Sequence, residues 1–223
     1  MKNLTLIIPA KKEKESLSKV LDELEPYNFK IVIILEKEDL ETIETIRNKN
    51  CEILYQKNKG YGDALIQGIN HIKDELFCIF NADGSFNPSE INNMIEILKR
   101  ENADLVFASR YEENCSSEDD TLITRIGNFI FTKIGNIFFQ LNISDILYTY
   151  VVGKTQKVRD LNLKSKDFVF CVELPVKANR NDLKLTTSKS NERRRIGGVK
   201  KPNAFKDGFK ILFGMIKLFF KNL

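Results

Sequence analysis

The sequence predicts an α/β fold, a mainly parallel sheet with helices on both faces, and three observations carry that prediction. Short β-branched runs alternate with longer segments of helical period. Most of those runs stop at polar or glycine residues, where a loop can leave the sheet. At 223 residues and 42% hydrophobic content the chain can build one sizeable core without metals or disulfides. A β–α–β order of this kind implies right-handed crossovers, and open sheets of that type bind ligands beyond the carboxyl ends of their strands.

The first strand is read over Leu4 to Pro9, and a helix follows over Ser16 to Leu24. Lys30 to Leu35 is the second strand, Leu40 to Asn48 the second helix, and Glu52 to Tyr55 the third strand. Asp63 to Lys73 has helical period and leads to the apolar strand Leu76 to Phe80. Pro88 suits the first turn of a helix running to Arg100, and Asp104 to Ala108 is the fifth strand. Beyond Arg110 the pattern loosens. Tyr111 to Asp120, with five acidic residues among polar spacers, reads as a mobile loop. Helices are expected over Thr121 to about Leu141 and over Val172 to Arg180, with an unassigned segment around Asp145 to Lys154 between them.

Charge divides the chain. The net formal charge is +4, but Lys184 to Leu223 holds 11 Lys and Arg against 2 acids, so the residues before it carry a net −5. The end is suited to an anionic partner and the body is not, which argues against an extended nucleic-acid track. Residues 1–190 are therefore taken as the globular domain and 191–223 as a basic loop with an amphipathic helix. From Phe205 to Phe220, ten of sixteen residues are large and apolar. At 100° per residue, Lys206, Lys210, Lys217 and Lys221 fall within about 60° of one another and the apolar residues spread over about 220°. A helix lying in a membrane interface uses both faces; burial against a homodimer partner is the alternative. No apolar run reaches the roughly 18 residues of a membrane span, and with Pro9 and the charges after it no signal peptide is expected at Leu4 to Ala10. The expected location is cytoplasmic, or peripheral on the cytoplasmic membrane face. Cys51, Cys78, Cys115 and Cys171 are widely spaced with no CxxC pair, which suits reduced thiols and argues against structural zinc. His71, the only histidine, reads as solvent-facing, so His-based nucleophilic chemistry is not expected.

Three strand ends carry the chemistry. Pro9-Ala10-Lys11-Lys12-Glu13 forms a charged turn after the first strand. Asn58-Lys59-Gly60-Tyr61-Gly62-Asp63 precedes the third helix. Its glycines would let backbone approach a phosphate at the helix N-terminus, or would simply make a tight turn. Asn81-Ala82-Asp83-Gly84-Ser85 follows the fourth strand. Asn81 and Asp83 are two apart and point the same way on extended backbone, where their oxygens could share Mg²⁺ or Mn²⁺ with a diphosphate; an Asx turn is the plainer alternative.

In order along nearly the whole chain, these pieces resemble the family 2 glycosyltransferases of the nucleotide-diphospho-sugar (GT-A) fold, especially the polyprenyl-phosphate sugar synthases. Ile8 to Leu17 is similar to the family's IPAxNExxSL turn, Asn58 to Leu65 to its NxGxGxAL segment, and Asn81 to Gly84 to its DADG metal motif. Ala108-Ser109-Arg110 is similar to its GSR, Asp145 and Tyr150 to the ends of DxxSGY, Phe168 to Leu174 to FxFxxEL, Arg194 to Lys200 to RxxGxSK, and Asp207-Gly208 to the DG helix. The chain departs from these patterns at Lys12, Asn81, Tyr148, Thr149 and Val199, and after the second strand only Glu36 matches the usual acids.

The resemblance implies a nucleotide diphosphate sugar, UDP- or GDP-linked, along the carboxyl edge of the sheet. Pro9, Ala10, Glu13, Glu36, Gly60, Gly62, Asn81, Ala82 and Asp83 would line its site. Asp83, Asn81 and Ser85 would hold Mg²⁺ or Mn²⁺. Arg110, Arg194, Arg195 and Lys200 would meet phosphates of donor or acceptor, and Glu173 is the candidate base if the acceptor is a hydroxyl. With Asp83 and Arg110, Glu173 completes the set expected to act in catalysis. The expected reaction is inverting transfer to a polyprenyl phosphate in cell-surface glycan synthesis. A soluble glycan hydroxyl as acceptor, or a non-catalytic nucleotide- or partner-binding member of the same fold, is the alternative.

Overall fold

The computed structural model describes residues 3–197 and 204–220. Among the described residues seven strands form one sheet: β1 Leu4–Pro9, β2 Lys30–Leu35, β3 Glu52–Tyr55, β4 Leu76–Ile79, β5 Leu105–Ser109, β6 Val151–Lys154 and β7 Leu185–Lys189, in the order β3-β2-β1-β4-β6-β5-β7. β1 lies between β2 and β4, both parallel to it, with Ile7 opposite Val32 on one side and Ile79 on the other. Two successive excursions, to β2 and then β3, run to one side, and β4 starts the other side. The strand order therefore reverses beside β1, and that is where a crevice opens in such sheets.

The first half is a run of local βα units. Helices α1 Leu17–Leu24, α2 Leu40–Ile46, α3 Tyr61–His71 and α4 Glu90–Arg100 fall where the apolar period placed them. α1 and α4 bury Leu17, Val20, Ile91 and Met94 against one face of the sheet. α3 buries Leu65 and Ile69 against the other, together with Val172 and Val176 of α7 Phe170–Arg180. Strands covered on both faces are apolar at nearly every position, as in the fully buried stretch Leu4 to Ile8.

The second half differs from the sequence expectation in three ways. The segment around Asp145 to Lys154 contains β6, which is antiparallel to both of its neighbours: Val152 pairs with Cys78 of β4 and with Val106 of β5. A four-residue strand with glycine at its third position gives little periodic signal. The glycine is nonetheless required, because a Cβ on Gly153 would stand 2.3 Å from Leu105 and 2.9 Å from Phe77. β7, Leu-Thr-Thr-Ser-Lys, is a mostly polar edge strand held parallel to β5, and α6 Thr155–Asp160 is a single short helix after β6. α5 Leu122–Phe139 matches the expected helix; Thr121 caps it with a reciprocal Thr121–Thr124 capping box, and Gln140 ends it in the left-handed region. α8 Ala204–Phe220 packs on α5 and α7 through Ile211 and Met215, with the Phe219 ring edge-on to Phe138 and Phe139. Its other face leaves Phe205, Phe209, Phe213 and Phe220 more than 60% exposed. Among the described residues no helix is long and apolar enough to cross a membrane.

Candidate active site

A cleft of about 910 Å³ opens beyond the carboxyl ends of β1 and β4. One wall is polar and comes from the strand ends: Pro9, Ala10, Glu13, Glu36, Asn81, Ala82, Asp83 and Ser85. The opposite wall is largely apolar and comes from α5 and α8, with Ile126, Ile130, Phe131, Phe205 and Phe209. Gly60, Arg110 and Arg195 also line it, so most of the sequence-predicted residues converge on one volume.

The polar wall starts where β1 stops. Ala10 N–H donates to the Ile34 carbonyl at 2.8 Å, which keeps the turn beside β2. Lys12 then adopts φ +53°, a conformation that suits the asparagine usual here in the resembled turn better than lysine; its N–H donates to Asp39 Oδ2 at 2.6 Å. Glu13 is 5% exposed and accepts from Ser16 Oγ at 2.7 Å, while its own N–H donates to Thr42 Oγ1 at 2.9 Å. Glu36 pairs with Lys11 at 2.7 Å. The two acids are thus fixed at the end of the cleft where β1 and β2 finish.

The loop after β4 holds the expected donor atoms. Asp83 divides its carboxylate: Oδ1 accepts from Ser85 N–H at 3.0 Å, making an Asx turn, and Oδ2 stands 3.7 Å from Arg195 Nη2. The turn expected as the plainer alternative is therefore present and uses one carboxylate oxygen, while the other faces Arg195. Asn81 Nδ2 lies 3.5 Å from Ser85 Oγ, which brings all three side chains to the same corner. Gly84 takes φ +83°, and a Cβ there would meet Ile196 at 2.5 Å. That contact belongs to a strap, residues 191–196, laced across the loop: Arg193 N–H donates to Ser85 O at 2.9 Å and Ile196 N–H to Asp83 O at 2.8 Å.

Other expected residues have different surroundings. A Cβ on Gly60, which has φ +125°, would stand 2.1 Å from the Lys166 carbonyl, and one on Gly62 2.2 Å from that of Ser165. Asp63 N–H, in the first turn of α3, donates to Lys166 O at 3.0 Å. The glycines admit the protein's own 163–169 loop, which takes the place expected for a phosphate cradle, and Gly62 does not reach the cleft. Glu173 does not line the cleft either. Its carboxylate accepts Lys164 N–H at 3.0 Å and Ser165 N–H at 2.7 Å and pairs with Lys177 at 2.8 Å. Burial alone would raise its pKa, but Lys177 and those N–H groups hold it below the ordinary 4.5. A carboxylate so committed clamps a loop instead of collecting a proton. Arg194 is exposed and lies outside the cleft lining. Lys200, like Val199 and Lys221, lies outside the described residues.

Arg110 reaches the cleft as the centre of a buried network. Its Nε and Nη2 donate to the two oxygens of Asp145 at 2.7 and 3.1 Å, Nη1 donates to Glu192 at 3.1 Å, and the guanidinium lies 4.5 Å over the Tyr148 ring. Burial would lower its pKa; Asp145 and Glu192 override that and hold it well above the ordinary value. Asp145 also accepts from Asn128 of α5, so the arginine ties the end of β5 to the apolar wall. Held by these acids, it has fewer donors left for a phosphate than a surface cation would offer.

Sequence reading missed Asp119, Asp120 and Glu192. The acidic stretch expected to be mobile is tied down: Arg195 grips Asp119 at 2.9 and 2.7 Å, Ser116 N–H donates to Asn191 Oδ1 at 2.9 Å, and Ser117 bonds Glu192. The available signal was the complementary charge of that stretch and of Arg193 to Arg195. Cys171 lines the cleft, but burial pushes its thiol up to about 12, so it offers no thiolate nucleophile near neutrality. All four cysteines are free.

Comparison with known proteins agrees with this geometry. An uncharacterized protein of Methanocaldococcus jannaschii is 23% identical over 219 residues, covering 95% of this chain and 90% of its own. The UDP-N-acetylglucosamine–dolichyl-phosphate N-acetylglucosaminyltransferase of Methanococcus voltae is 23% identical over 82% of this chain and 83% of its own. The crystal structure of glucosyl-3-phosphoglycerate synthase from Mycobacterium tuberculosis with Mn²⁺, UDP and glucosyl-3-phosphoglycerate superposes with a TM-score of 0.74 at 10% identity, over 98% of this chain and 80% of that one. Residues 5–161 match glycosyl transferase family 2, and with its sheet, its crevice and its strand-end loops in that order the chain belongs to this family of glycosyltransferases.

Proposed function

We propose that this protein transfers a sugar from a nucleotide diphosphate sugar to a polyprenyl phosphate, with a divalent ion and inversion at the anomeric carbon. The observation that carries the reading is the two-sided cleft, in which a charged strand-end wall, with Lys11, Arg110 and Arg195 among its acids, shares one volume with an apolar wall from α5 and α8. The phosphate head of a lipid acceptor would meet the cations of the charged wall and its hydrocarbon tail the apolar wall; a soluble glycan would leave the apolar wall without a role. The names of the Methanococcus voltae relative and of a Pyrococcus furiosus dolichol-phosphate mannosyltransferase, 27% identical over 117 residues, favour the same acceptor class.

The donor would lie with its nucleoside toward Pro9, Ala10, Glu13 and Glu36 and its diphosphate toward Asp83. Among the described residues no three His, Cys, Asp or Glu cluster as a complete metal cage. The hard oxygens of Asp83, Asn81 and Ser85 nonetheless fit Mg²⁺ or Mn²⁺, ions that take one or two carboxylates and complete their shell with substrate phosphates. Such an ion would supply Lewis-acid stabilisation of the leaving diphosphate. In the transfer an oxygen of the lipid phosphate attacks the anomeric carbon, the bond from that carbon to the diphosphate oxygen breaks, and the nucleoside diphosphate leaves with the electron pair. A phosphate is already anionic near neutrality, so no side chain is required to take a proton. Arg110 holds the end of β5 and the first half of α5 around this space.

Two exposed apolar helix faces extend the reading to a membrane surface. Leu122, Phe129 and Phe138 of α5 are 57% exposed or more, as are Phe205, Phe209 and Phe213 of α8, with Lys206 and Lys210 exposed beside them. Seating these faces at an anionic interface would bring the lipid acceptor to the mouth of the cleft. The test is a panel of UDP- and GDP-sugars with a polyprenyl phosphate in vesicles, with and without Mn²⁺. Transfer should require vesicles, Mn²⁺ and Asp83. Nucleotide binding with no donor consumed by any acceptor would overturn the reading, and equal transfer to a soluble sugar hydroxyl would replace the acceptor.

A further inference from the structure

We infer that Arg195 is a built-in counter-cation, which holds Asp119 facing Asp83 and must yield its place when a divalent ion enters with a diphosphate. The inference rests on the reading above that this site takes such an ion.

The geometry is specific. Arg195 Nη2 lies 2.7 Å from Asp119 Oδ2 and 3.7 Å from Asp83 Oδ2, so one nitrogen serves carboxylates from two distant loops. Nε adds a 2.9 Å bond to Asp119 Oδ1, which makes that pair bidentate. Both carboxylates are only partly exposed, at 17% for Asp83 and 14% for Asp119, and both line the cleft. The backbone that carries Arg195 is fixed on two sides. Ile196 N–H donates to Asp83 O at 2.8 Å, and on the other side Glu118 N–H donates to Glu192 O at 3.0 Å. The strap therefore presents the guanidinium between the loop after β4 and the acidic stretch.

Charge gives this arrangement a consequence. Asn81 leaves the loop after β4 with a single carboxylate, and Asp119 supplies a second negative charge from another segment. While Arg195 bridges them, the pair is half neutralised, and a divalent ion approaching alone meets a fixed positive charge a few ångströms away. An ion arriving with a nucleoside diphosphate brings its own anion, toward which the displaced guanidinium can turn. Arg195 would thus make cation binding depend on nucleotide, and Asp119 would be the second carboxylate that Asn81 does not provide.

Titration of Mn²⁺ by electron paramagnetic resonance tests this on the full chain without substrate turnover. The proteins are the wild type, Arg195→Gln, Arg195→Lys, and Arg195→Gln combined with Asp119→Asn, each checked for folding by circular dichroism. Without nucleotide, Arg195→Gln should bind Mn²⁺ about tenfold or more tighter than wild type, because a nearby like charge is gone. Arg195→Lys keeps the charge and should stay near wild type. Adding Asp119→Asn should remove the gain. With UDP present, the difference between wild type and Arg195→Gln should shrink. Unchanged or weaker Mn²⁺ binding in folded Arg195→Gln overturns the inference, as does a gain that survives Asp119→Asn. Should wild type bind Mn²⁺ with UDP while Arg195→Gln shows no gain, only the role of Arg195 falls. Should no protein bind Mn²⁺ even with UDP, the metal reading falls with it.

Discussion

The two walls of the cleft are built by different means. The strand-end wall comes from consecutive βα units, and its residues, Pro9 to Glu13, Glu36 and Asn81 to Ser85, sit within a few positions of the strands that aim them. The α5–α8 wall is assembled from segments about eighty residues apart, joined through Phe219 on Phe138 and Phe139, with α8 also tied to α7 through Arg180 Nη1 on Leu218 O at 2.8 Å. The difference teaches that the strand-end wall, the proposed donor side, rests on local backbone geometry, whereas the α5–α8 wall, the proposed acceptor side, depends on long-range packing and on how a charged hub joins the halves. That hub is Arg110 with Asp145 and Glu192.

The comparison breaks most directly at Asp83. Removing one preorganised group that handles developing charge typically costs about 10²–10³-fold in rate, so Asp83→Ala should lower sugar transfer by that order. Vesicle flotation should be unchanged, because the α5 and α8 faces are untouched. Loss of flotation in the same variant would show that the walls are not separable.

At the hub the expected effect is on stability. Arg110→Ala leaves Asp145 and Glu192 buried without their cation, and breaking such a pair costs about 3–5 kcal/mol. For a domain of this size that lowers the thermal midpoint by roughly 6–20 °C. A shift of only a degree or two, measured by scanning calorimetry, would mean that the hub does not couple the halves.

On the exposed face of α8, Phe209→Glu together with Phe213→Glu should weaken flotation on anionic vesicles by about 10–100-fold, the equivalent of one or two aromatic side chains withdrawn from an apolar phase. UDP binding by calorimetry should keep its wild-type affinity. Equal flotation would assign this face to a protein partner, including a second copy of the chain.

The smallest expected effect sharpens the contrast between cleft and support. Glu173→Gln should cost about 1–3 kcal/mol by weakening the clamp on Lys164 and Ser165. Because the folded carboxyl titrates below its ordinary 4.5, its contribution is fully present above that pH and fades as pH falls through the lower folded value. Urea melts of wild type and variant should therefore differ at pH 7 and converge in acid. A variant with full stability and no transfer would return Glu173 to the chemistry.

Legibility follows the same division. β1 to β5 and α1 to α4 were readable because each is a periodic run bounded by turn residues, and the strand-end residues of the cleft were readable because they sit at the ends of those strands. β6 and β7 were not: Val151–Lys154 is too short for a period, and Leu-Thr-Thr-Ser-Lys is paired only because β5 lies beside it. Gly60 and Gly62 were visible as special positions, but what they approach, the carbonyls of Lys166 and Ser165, lies about a hundred residues away. Glu173 carried the right residue type in a matching motif, and only its hydrogen-bond partners revealed a clamp.

The sequence alone determined the α/β class and the placement of Asp83 and its neighbours at a strand end, since alternating periods and strand-end residues are local properties. Which charges meet was decided only by the tertiary structure. Arg110 on Asp145, Arg195 between Asp119 and Asp83, and α8 across α5 each join segments separated by dozens of residues, and hydrophobic period carries no record of such pairings. Ion pairs and helix contacts of that range are fixed by the packing of the whole sheet, which forms from local units but closes through distant ones.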